Sequence, residues 1–264
     1  MRKTFRFQGN KEYWKKRWSS IKVDEAQEEE HSYPLKYALE VIGSTKESIL
    51  EAGCGNGRIL RYFHQRGYNI EGFDFIDDAV QNLKKCDPKL EVQVGDIKNL
   101  MYHSSSFDCI LAFGLYHNLE EEDLATAIKE TARIMKNNGR LCASFRADNF
   151  QNRMNDFMAD RKCGSNKDKG KSFHKLNLKP SELINFFENG GFNIDKIIPV
   201  ENMPLFYKFK FFRSKTHKIF NESLGRKEGY KLNAIGKILQ GLLIKIFPHQ
   251  LCNIYVLFAH IAKS

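Results

Sequence analysis

Between residues 48 and 146 the sequence alternates between strand-like and helix-like segments, and this alternation limits the fold more than any other feature. Short apolar runs such as SILEAG and FDCILAFG are typical of buried strands, whereas RILRYFHQRG and IDDAVQNLKKC have apolar residues at helical spacing. Strands that alternate with helices form βαβ units with right-handed crossovers, and such units build a parallel sheet. The pattern therefore predicts an α/β fold with a doubly wound, mostly parallel sheet and helices on both faces.

A glycine-rich loop follows the first of these strands, in the segment ILEAGCGNGR. Gly53, Gly55 and Gly57 alternate with two other residues, and glycine lets a ligand approach the backbone closely. Asp74 ends the next strand, at the edge of the sheet where ligands bind in folds of this kind. A carboxylate there can accept hydrogen bonds from both hydroxyls of a ribose. The loop and the acid together predict an adenosine-binding site.

Two other nucleotide-binding loops fit this segment less well. Dinucleotide sites use GxGxxG/A, but Arg58 occupies the position of the third small residue. An ATP-binding P-loop requires a lysine that this loop lacks. For the glycines taken alone, a strand–helix turn without a ligand remains an alternative.

The chain carries a formal net charge of +10 over its 264 residues. Such a balance favours an anionic partner, either a nucleic acid or an anionic membrane surface, although solubility alone also accounts for a basic surface. No apolar run reaches the length of a membrane span, and the N-terminal segment lacks the apolar core of a signal peptide. The six cysteines form no CxxC pair and no cluster with histidines. We therefore expect reduced thiols in a cytoplasmic protein, and no metal site.

Three stretches lie outside the alternating pattern. Residues 1–48 predict a partly helical N-terminal arm or cap, ahead of one domain over residues 49–264. The pattern is lost over residues 147–178, where the polar run RKCGSNKDKGK predicts a mobile loop. Residues 201–250 form an aromatic and basic, lid-like insertion before a last strand, CNIYVLFAHIAK.

The insertion contains a helix-like segment, AIGKILQGLLIKIF, with six apolar residues on one face. These residues are Ile235, Ile238, Leu239, Leu242, Leu243 and Ile246. Three interpretations stay open. The segment is a lid helix over the active site, a basic amphipathic element on an anionic membrane that presents a lipid-linked substrate, or an aromatic platform for single-stranded RNA.

Four motifs in order make the sequence resemble the class I S-adenosylmethionine-dependent methyltransferases, of the small-molecule type with a methyltransferase domain 11 or 25. ILEAGCGNGR resembles their first motif, IEGFDFIDDAV the second, VQVGDIKNL the third and FDCILAFGLYHNL the fourth. The segment ARIMKNNGRLCASF resembles the helix–turn–strand that follows. The resemblance covers residues 45–146 closely and 172–200 more loosely. It implies a Rossmann-like, seven-stranded sheet with an antiparallel last strand, and S-adenosyl-L-methionine as cofactor with S-adenosyl-L-homocysteine as product.

The resemblance also assigns roles by position. Asp74 is implied to hold the ribose, Asp96 to meet the adenine amino group and Ile97 to pack on the adenine ring. Glu51 is implied to lie near the methionine end of the cofactor. The segment EYWKKRW resembles one that often closes over the cofactor, although an amphipathic surface helix is an equal alternative. The full set implied to bind the cofactor is Tyr13, Trp14, Arg17, Glu51, Gly53, Cys54, Gly55, Asn56, Gly57, Asp74, Phe75, Gly95, Asp96, Ile97, Phe113 and Gly114.

His117 is the best candidate for a general base, because it follows the fourth-motif strand and imidazole titrates near neutrality. Tyr116 beside it is the second catalytic candidate. A base is needed only if the acceptor must lose a proton, so a role for His117 in the pocket wall is the alternative. His174 could reach the same pocket, but a surface position is the simpler expectation.

The fourth motif also bears on the acceptor. AFGLYHNL lacks the [DN]PP[YF] pattern of enzymes that methylate amino groups of nucleic-acid bases, and the chain has no Pro-Cys pair. We therefore expect in-line methyl transfer to an oxygen or nitrogen atom of a small or lipid-linked molecule, such as a sugar or a quinone-like ring. The alternatives are an RNA methyltransferase and a catalytically silent cofactor-binding module. The expected location is the cytoplasm, with peripheral contact at the inner face of an anionic membrane as an option.

Overall fold

The computed structural model of the chain divides into two compact units. The sheet unit comprises residues 1–146, 167–198 and 256–264, and the insert unit comprises residues 147–166 and 199–255. The residues that the structure describes are 1–7, 9–20, 30–31, 33–162, 170–221, 224–225 and 228–262.

The helices and strands of the described residues follow the order expected for βαβ units. The strands are β1 (Arg2–Arg6), β2 (Ile49–Ala52), β3 (Ile70–Asp74), β4 (Val92–Val94), β5 (Phe107–Ala112), β6 (Met135–Arg146), β7 (Ser172–Asn177), β8 (Phe192–Val200) and β9 (Ile254–Ile261). The helices are α1 (Asn10–Ser20), α2 (Leu35–Val41), α3 (Arg58–His64), α4 (Asp77–Cys86), α5 (Glu121–Ile134), α6 (Phe150–Lys162), α7 (Pro180–Asn189), α8 (Ala234–Ile246) and α9 (Pro248–Leu251).

Seven strands form one sheet in the order β4-β3-β2-β5-β6-β9-β8. The pairs β2–β3, β2–β5, β3–β4 and β5–β6 run parallel, and the opposite end of the sheet is antiparallel. The predicted fold class is confirmed. The strand order reverses between β2 and β5, so their carboxyl ends flank the switch point at which open α/β sheets bind ligands.

The core of the sheet unit explains the apolar runs in the sequence. β2 is buried at all four positions and β5 at five of six, as expected for central parallel strands that are covered on both faces. Helix α5 buries one stripe, Leu124, Ala127, Ile128 and Thr131, at the three- and four-residue spacing of an amphipathic helix. Its first turn carries three acidic residues, which stabilise the amino end of the helix dipole.

Helix α5 ends earlier than the sequence pattern predicts. The segment EEEDLATAIKETARIMKNNG predicts a helix that ends at Gly139, but the helix stops at Ile134, and β6 begins at Met135. The carbonyl oxygens of Arg133 and Ile134 accept hydrogen bonds from the backbone of residues 105 and 106, and Met135 pairs with Phe107. These sideways bonds to a neighbouring strand replace the bonds that would continue the helix.

The N-terminal arm contains helices α1 and α2, and also a strand that the sequence pattern did not predict. β1 pairs antiparallel with β7 in a separate two-stranded sheet, with Arg2 opposite Asn177. The segment RKTFR is short and polar, and its partner lies far along the chain. Local alternation therefore gave no signal for it.

The predicted loop over residues 147–178 is wrong in part, because it contains helix α6 and strand β7. Inside the insert unit, Asn149 and Asn152 at the start of α6 donate side-chain hydrogen bonds to the carbonyl oxygens of Cys252 and Asn253, both at 2.8 Å. These polar tethers hold a helix whose apolar pattern is weak, since Phe157 is exposed. The rest of that loop, residues 163–169, lies outside the described residues.

Among the described residues, every helix is too short or too polar to traverse a bilayer.

Candidate cofactor and active site

The glycine loop between β2 and α3 has the backbone geometry that its sequence requires. Gly53, Gly55 and Gly57 have φ angles of 70°, 53° and 66°, in the left-handed region where side chains are disfavoured. The Gly53 amide donates to the carbonyl oxygen of Phe73 at 2.9 Å, which ties the loop to the end of β3. The loop is thus held across the carboxyl ends of two neighbouring strands.

Asp74 joins this loop to the next strand through its side chain. Its Oδ2 accepts a hydrogen bond from the Gly55 amide at 2.8 Å, and its Oδ1 accepts one from the Ile76 amide at 2.9 Å. Burial raises the pKa of the Asp74 carboxyl, and the backbone hydrogen bonds act in the opposite direction. The backbone amides of Gly55, Phe75 and Ile76 use at most three of the four lone pairs of the carboxylate. Asp74 can therefore hold the loop and accept a ribose hydroxyl at the same time.

Glu51 lies at the opposite side of the loop, beneath helix α3. Its Oε2 accepts a hydrogen bond from the Leu60 amide at 2.7 Å, one of the first-turn amides that a helix cannot satisfy internally. Burial raises the pKa of the Glu51 carboxyl to about 8, and the nearby Asp74 charge adds to the effect. The carboxyl is therefore mostly protonated at neutral pH. Its implied position near the methionine end of the cofactor stays a prediction.

The third motif forms a tight turn after β4. Asp96 is half-buried, and its Oδ1 accepts a hydrogen bond from the Lys98 amide at 3.0 Å. The Ile97 side chain is buried beside it, and Gly95 packs against the Phe73 ring. Across the edge of the sheet, the Phe75 ring is 48% exposed. The adenine contacts implied for these residues remain predictions.

Helix α1 contacts the loops that follow three different strands. The Asn10 amide group donates to the carbonyl oxygen of Asn118 at 2.9 Å, after β5. The Lys11 ammonium group lies 4.7 Å from the centre of the Phe75 ring, after β3. After β2, a Cβ atom placed on Gly55 would lie 2.6 Å from the indole of Trp18, so this indole packs directly on the glycine loop.

Trp18 is a candidate cofactor-site residue that the sequence reasoning missed. Its ring stacks on Trp14 with centroids 5.4 Å apart, and Arg17 donates a hydrogen bond to the Tyr13 hydroxyl at 3.0 Å. The structure therefore brings Tyr13, Trp14 and Arg17 together on α1, while the indole that meets the loop belongs to Trp18. The four-residue spacing from Trp14, which places both rings on one helical face, was the available signal.

The fourth motif is anchored by two further residues that the sequence did not reveal. The Gly114 amide donates to Ser144 Oγ at 2.9 Å, and the Tyr33 hydroxyl is hydrogen-bonded to the same oxygen at 2.8 Å. The Tyr33 ring meets the Phe113 ring edge-on, with centroids 5.9 Å apart. Tyr33 and Ser144 come from distant parts of the sequence, so no local motif marked them.

His117 lies in the short turn after β5 and is only 8% exposed. Burial holds the pKa of its imidazole well below the usual range, and the positive charges of Lys175 and Arg146 lower it further. A hydrogen bond to the backbone of Ser144 partly opposes this shift. Its Nδ1 is buried and has no hydrogen-bond partner among the described residues. The ring is therefore neutral and offers one unused nitrogen.

Tyr116 has a different environment from its neighbour His117. The side chain is fully buried, its hydroxyl is hydrogen-bonded to Thr131 at 2.7 Å, and its ring stacks on Phe145. This position in the core gives no support to the catalytic role suggested for Tyr116.

His174, expected at the surface, is 4% exposed instead. Its Nδ1 lies 3.2 Å from Thr4 Oγ1, because the pairing of β1 with β7 covers the ring. Burial and the neighbouring cations lower its pKa to about 3.

The two residues between the loop glycines, Cys54 and Asn56, are both buried. Burial raises the pKa of the Cys54 thiol well above its usual value. Cys54 is therefore an unreactive thiol. Across the residues that the structure describes, no three His, Cys, Asp or Glu side chains come together as metal ligands.

Known proteins share both the sequence motifs and the fold. Residues 50–143 match a family described as "Methyltransferase domain". The ubiquinone biosynthesis O-methyltransferase of Coxiella burnetii is 26% identical over 183 residues, which make up 68% of this chain and 77% of that protein. A crystal structure of a methyltransferase from Methanosarcina mazei has a TM-score of 0.58 at 17% identity, and covers 88% of this chain and 99% of its own. A chain from the complex between the Haloferax volcanii Trm112 methyltransferase activator and a putative methyltransferase has a TM-score of 0.61 at 14% identity, with 96% of both chains covered.

The chain therefore has a Rossmann-like methyltransferase fold, and its candidate site lies at the carboxyl ends of β2 and β3. Residues 50–143 are similar to a methyltransferase domain, and the chain shares its fold with S-adenosylmethionine-dependent methyltransferases of known structure. The residues present fit S-adenosylmethionine, the cofactor that the four sequence motifs imply. The Asp74 carboxylate keeps a lone pair for a ribose hydroxyl at the end of β3, and the three loop glycines leave the backbone there without side chains of its own.

Proposed function

We propose that the protein transfers the methyl group of S-adenosylmethionine to an oxygen or nitrogen atom of a small or lipid-linked molecule, by in-line displacement. When bound, the cofactor supplies an electrophilic methyl group on a positively charged sulfur. In such a reaction the protein contributes position and electrostatics. The observation that supports transfer to such an acceptor is the buried, neutral imidazole of His117. Its Nδ1 has no hydrogen-bond partner among the described residues.

The cofactor half of the proposal rests on the edge formed by β2, β3 and β4. Asp74 would hold the ribose hydroxyls, and the backbone at Gly55 would lie against the cofactor. Phe75, Asp96 and Ile97 would contact the adenine. Helix α1 would cover the site through Trp18.

His117 would orient the acceptor and take its proton. A buried nitrogen without a partner costs free energy, and an acceptor hydroxyl that donates to Nδ1 would recover it. An imidazole with a lowered pKa is a weak base, so it suits a hydroxyl that is already acidic, such as a phenol. Lys175 and Arg146, which lower the pKa of His117, would also stabilise the anion of such an acceptor.

This chemistry favours an O-methyl acceptor with an aromatic hydroxyl, either free or attached to a lipid chain. The name of the Coxiella burnetii relative, a ubiquinone biosynthesis O-methyltransferase, supports the same choice. We place the reaction in the cytoplasm, with peripheral contact at a membrane if the acceptor is lipid-linked. An activator subunit, as in the Haloferax volcanii complex, is a further partner to test.

The test is a transfer assay with S-adenosylmethionine labelled in its methyl group. Catechol rings with and without a polyprenyl chain, a primary amine and total RNA serve as acceptors. We expect label on the catechol rings. Replacement of His117 by Asn should lower kcat about a hundredfold or more, the range for loss of a general base, with cofactor affinity unchanged. His103→Asn, at an exposed histidine, is the matched control and should behave as wild type.

Three outcomes would overturn parts of this proposal. Label on RNA alone would replace it with the RNA methyltransferase alternative. Cofactor binding without transfer to any acceptor would indicate a silent binding module or a missing activator subunit. Full activity in His117→Asn would remove the proposed role of the histidine but keep the methyltransferase.

A further inference from the structure

Helix α8 in the insert unit exposes a row of apolar side chains, whereas its buried positions are a glycine and a glutamine. Gly236 and Gln240 are the buried positions of the helix. The Gln240 side chain is hydrogen-bonded to Glu201 and accepts from the Phe206 amide at 3.2 Å. The opposite face carries apolar side chains that are between 39% and 64% exposed, namely Ile235, Ile238, Leu239, Leu242 and Ile246. A surface helix of a water-soluble domain normally has the reverse arrangement.

Three exposed aromatic rings belong to segments that adjoin the helix. Phe247 follows its last residue, Phe211 belongs to the segment bound to the start of the helix, and Phe209 lies two residues before Phe211. Asn233 fixes this arrangement, since its side chain donates to the carbonyl oxygen of Phe211 at 2.7 Å and its backbone amide donates to that of Phe212 at 2.8 Å. We call these three rings and the five exposed α8 side chains the α8 surface.

Polar contacts hold the aromatic part of the α8 surface in place. The Arg213 guanidinium donates to the carbonyl oxygens of Tyr207 at 2.6 Å, Lys208 at 3.0 Å and Lys218 at 3.1 Å. The Asn233 side chain also caps α8 by accepting from the Gly236 amide at 2.8 Å. These hydrogen bonds hold the backbone of the segment that carries the exposed rings.

The same stretch of chain is strongly basic. Residues 205–251 contain ten lysines and arginines but only two glutamates, so they supply eight of the ten net positive charges of the whole chain. Lys237 and Lys245 lie on α8 itself and are exposed, as are Lys210, Lys215 and Lys218 beside the aromatic rings. A second copy of the chain would bring the same positive charge to this surface. Anionic phospholipid offers both the apolar and the charged complement.

We propose that the α8 surface docks the protein on a bilayer that contains anionic phospholipid, with α8 lying in the interface. The apolar side chains would enter the acyl boundary, and the lysines around them would contact the headgroups. Docking would bring the enzyme to a lipid-linked acceptor, and only this purpose rests on the proposed function. Bilayer binding itself requires no catalysis.

The experiment is co-sedimentation of the full chain with vesicles of phosphatidylcholine, alone or mixed with phosphatidylglycerol. We expect binding only to the anionic vesicles, and weaker binding as salt rises. Ile238→Asp together with Leu242→Asp should weaken binding at least tenfold. The matched control is Met101→Asp, at a residue of the sheet unit that is 89% exposed, and it should bind as wild type. A second variant, Lys237→Gln with Lys245→Gln, should weaken binding by severalfold and reduce its salt dependence.

Other occupants of the α8 surface give different results. If wild type stays in solution with both vesicle types, or if Ile238→Asp with Leu242→Asp binds as wild type, the inference is wrong. A dimer without vesicles that the same variant dissociates would assign the surface to a second copy. Competition by single-stranded RNA that Phe211→Ala abolishes would assign it to nucleic acid. Titration of each variant with S-adenosylhomocysteine reports folding and the cofactor site separately, so a failure of bilayer binding is distinguishable from a failure of the proposed function.

Discussion

At the scale of single residues, two carboxyl groups beside the glycine loop have different tasks. Asp74 accepts hydrogen bonds from Gly55 and Ile76 at the open edge of the sheet. Glu51 lies beneath helix α3 and accepts from the Leu60 amide. Both pKa values are raised by burial, and that of Glu51 reaches about 8. Asp74 thus lies where a ligand could reach it, whereas Glu51 is mostly protonated at neutral pH.

Replacement of Glu51 by Gln should alter how stability depends on pH. Unfolding lowers the Glu51 pKa from about 8 to its ordinary value near 4.5, so between these values the folded state holds a proton that the unfolded state has lost. This group therefore makes the free energy of unfolding fall as pH rises through that window, by at most about 1.4 kcal/mol per pH unit. The variant lacks the titration. It should gain stability over wild type as pH rises from 5 to 8, as measured by urea unfolding.

The Glu51 comparison uses the difference between the two proteins, because other groups titrate in the same range. His174, whose pKa is lowered to about 3, changes stability in the opposite direction below pH 6.5. It does so equally in both proteins. A constant difference across the pH range would show that Glu51 is ionised in the folded state.

Gly55 should tolerate no side chain. Its φ of 53° is in the left-handed region, and an added Cβ would lie 2.6 Å from Trp18. Gly55→Ala should therefore lose about 1–2 kcal/mol of stability from backbone strain alone and weaken cofactor binding. Gly67→Ala is the matched control, because Gly67 has a φ of 77° and nothing within 4 Å of the added atom. It should lose stability but bind cofactor as wild type, by calorimetric titration. Equal affinities in the two variants would contradict this position for the cofactor.

At the scale of elements, helix α1 lies against the loops of the candidate cofactor site. It reaches the loops after β2, β3 and β5 through Trp18, Lys11 and Asn10. The helix is short and rich in basic residues, so it has little apolar surface that could stabilise it in isolation. Its order therefore depends on the loops that it covers.

The two tryptophans of the chain both lie in α1, so intrinsic fluorescence should report cofactor binding. We expect S-adenosylhomocysteine to change the emission, since the proposed cofactor site includes the loop on which the Trp18 indole packs. Trp18→Phe should abolish most of this change. Trp14→Phe, which removes the neighbouring stacked ring, should retain most of it. A change that follows Trp14 instead would place the ligand one turn nearer the start of the helix, away from the glycine loop.

At the scale of the whole molecule, cofactor binding should stabilise the folded chain. A ligand at about one hundred times its Kd adds about 2.7 kcal/mol to the free energy of unfolding, which raises the Tm of a chain of this size by roughly 5–10 °C. We expect this shift with S-adenosylhomocysteine in a thermal melt. Asp74→Asn should abolish it, because the hydrogen bonds to the ribose are lost. Asp77→Asn, at an exposed carboxylate that begins helix α4, should retain it in full.

The order of elements was readable from the sequence, because its signals are local. Continuous apolar runs marked β2 and β5, and alternating glycines followed by Asp74 marked the loop and the strand end that form the candidate site. Each signal lies within one strand, one turn or one βαβ unit, where spacing in sequence determines spacing in space.

Tertiary structure alone decided the features that depend on distant partners. β1 pairs with β7 across most of the chain, and this pairing buries His174. The indole of Trp18 reaches Gly55, and Tyr33 meets Ser144, through contacts that no local pattern encodes. Periodicity identified an apolar face on α8 but not that this face is exposed. Burial and pKa depend on everything that surrounds a group, and only the folded chain supplies those surroundings.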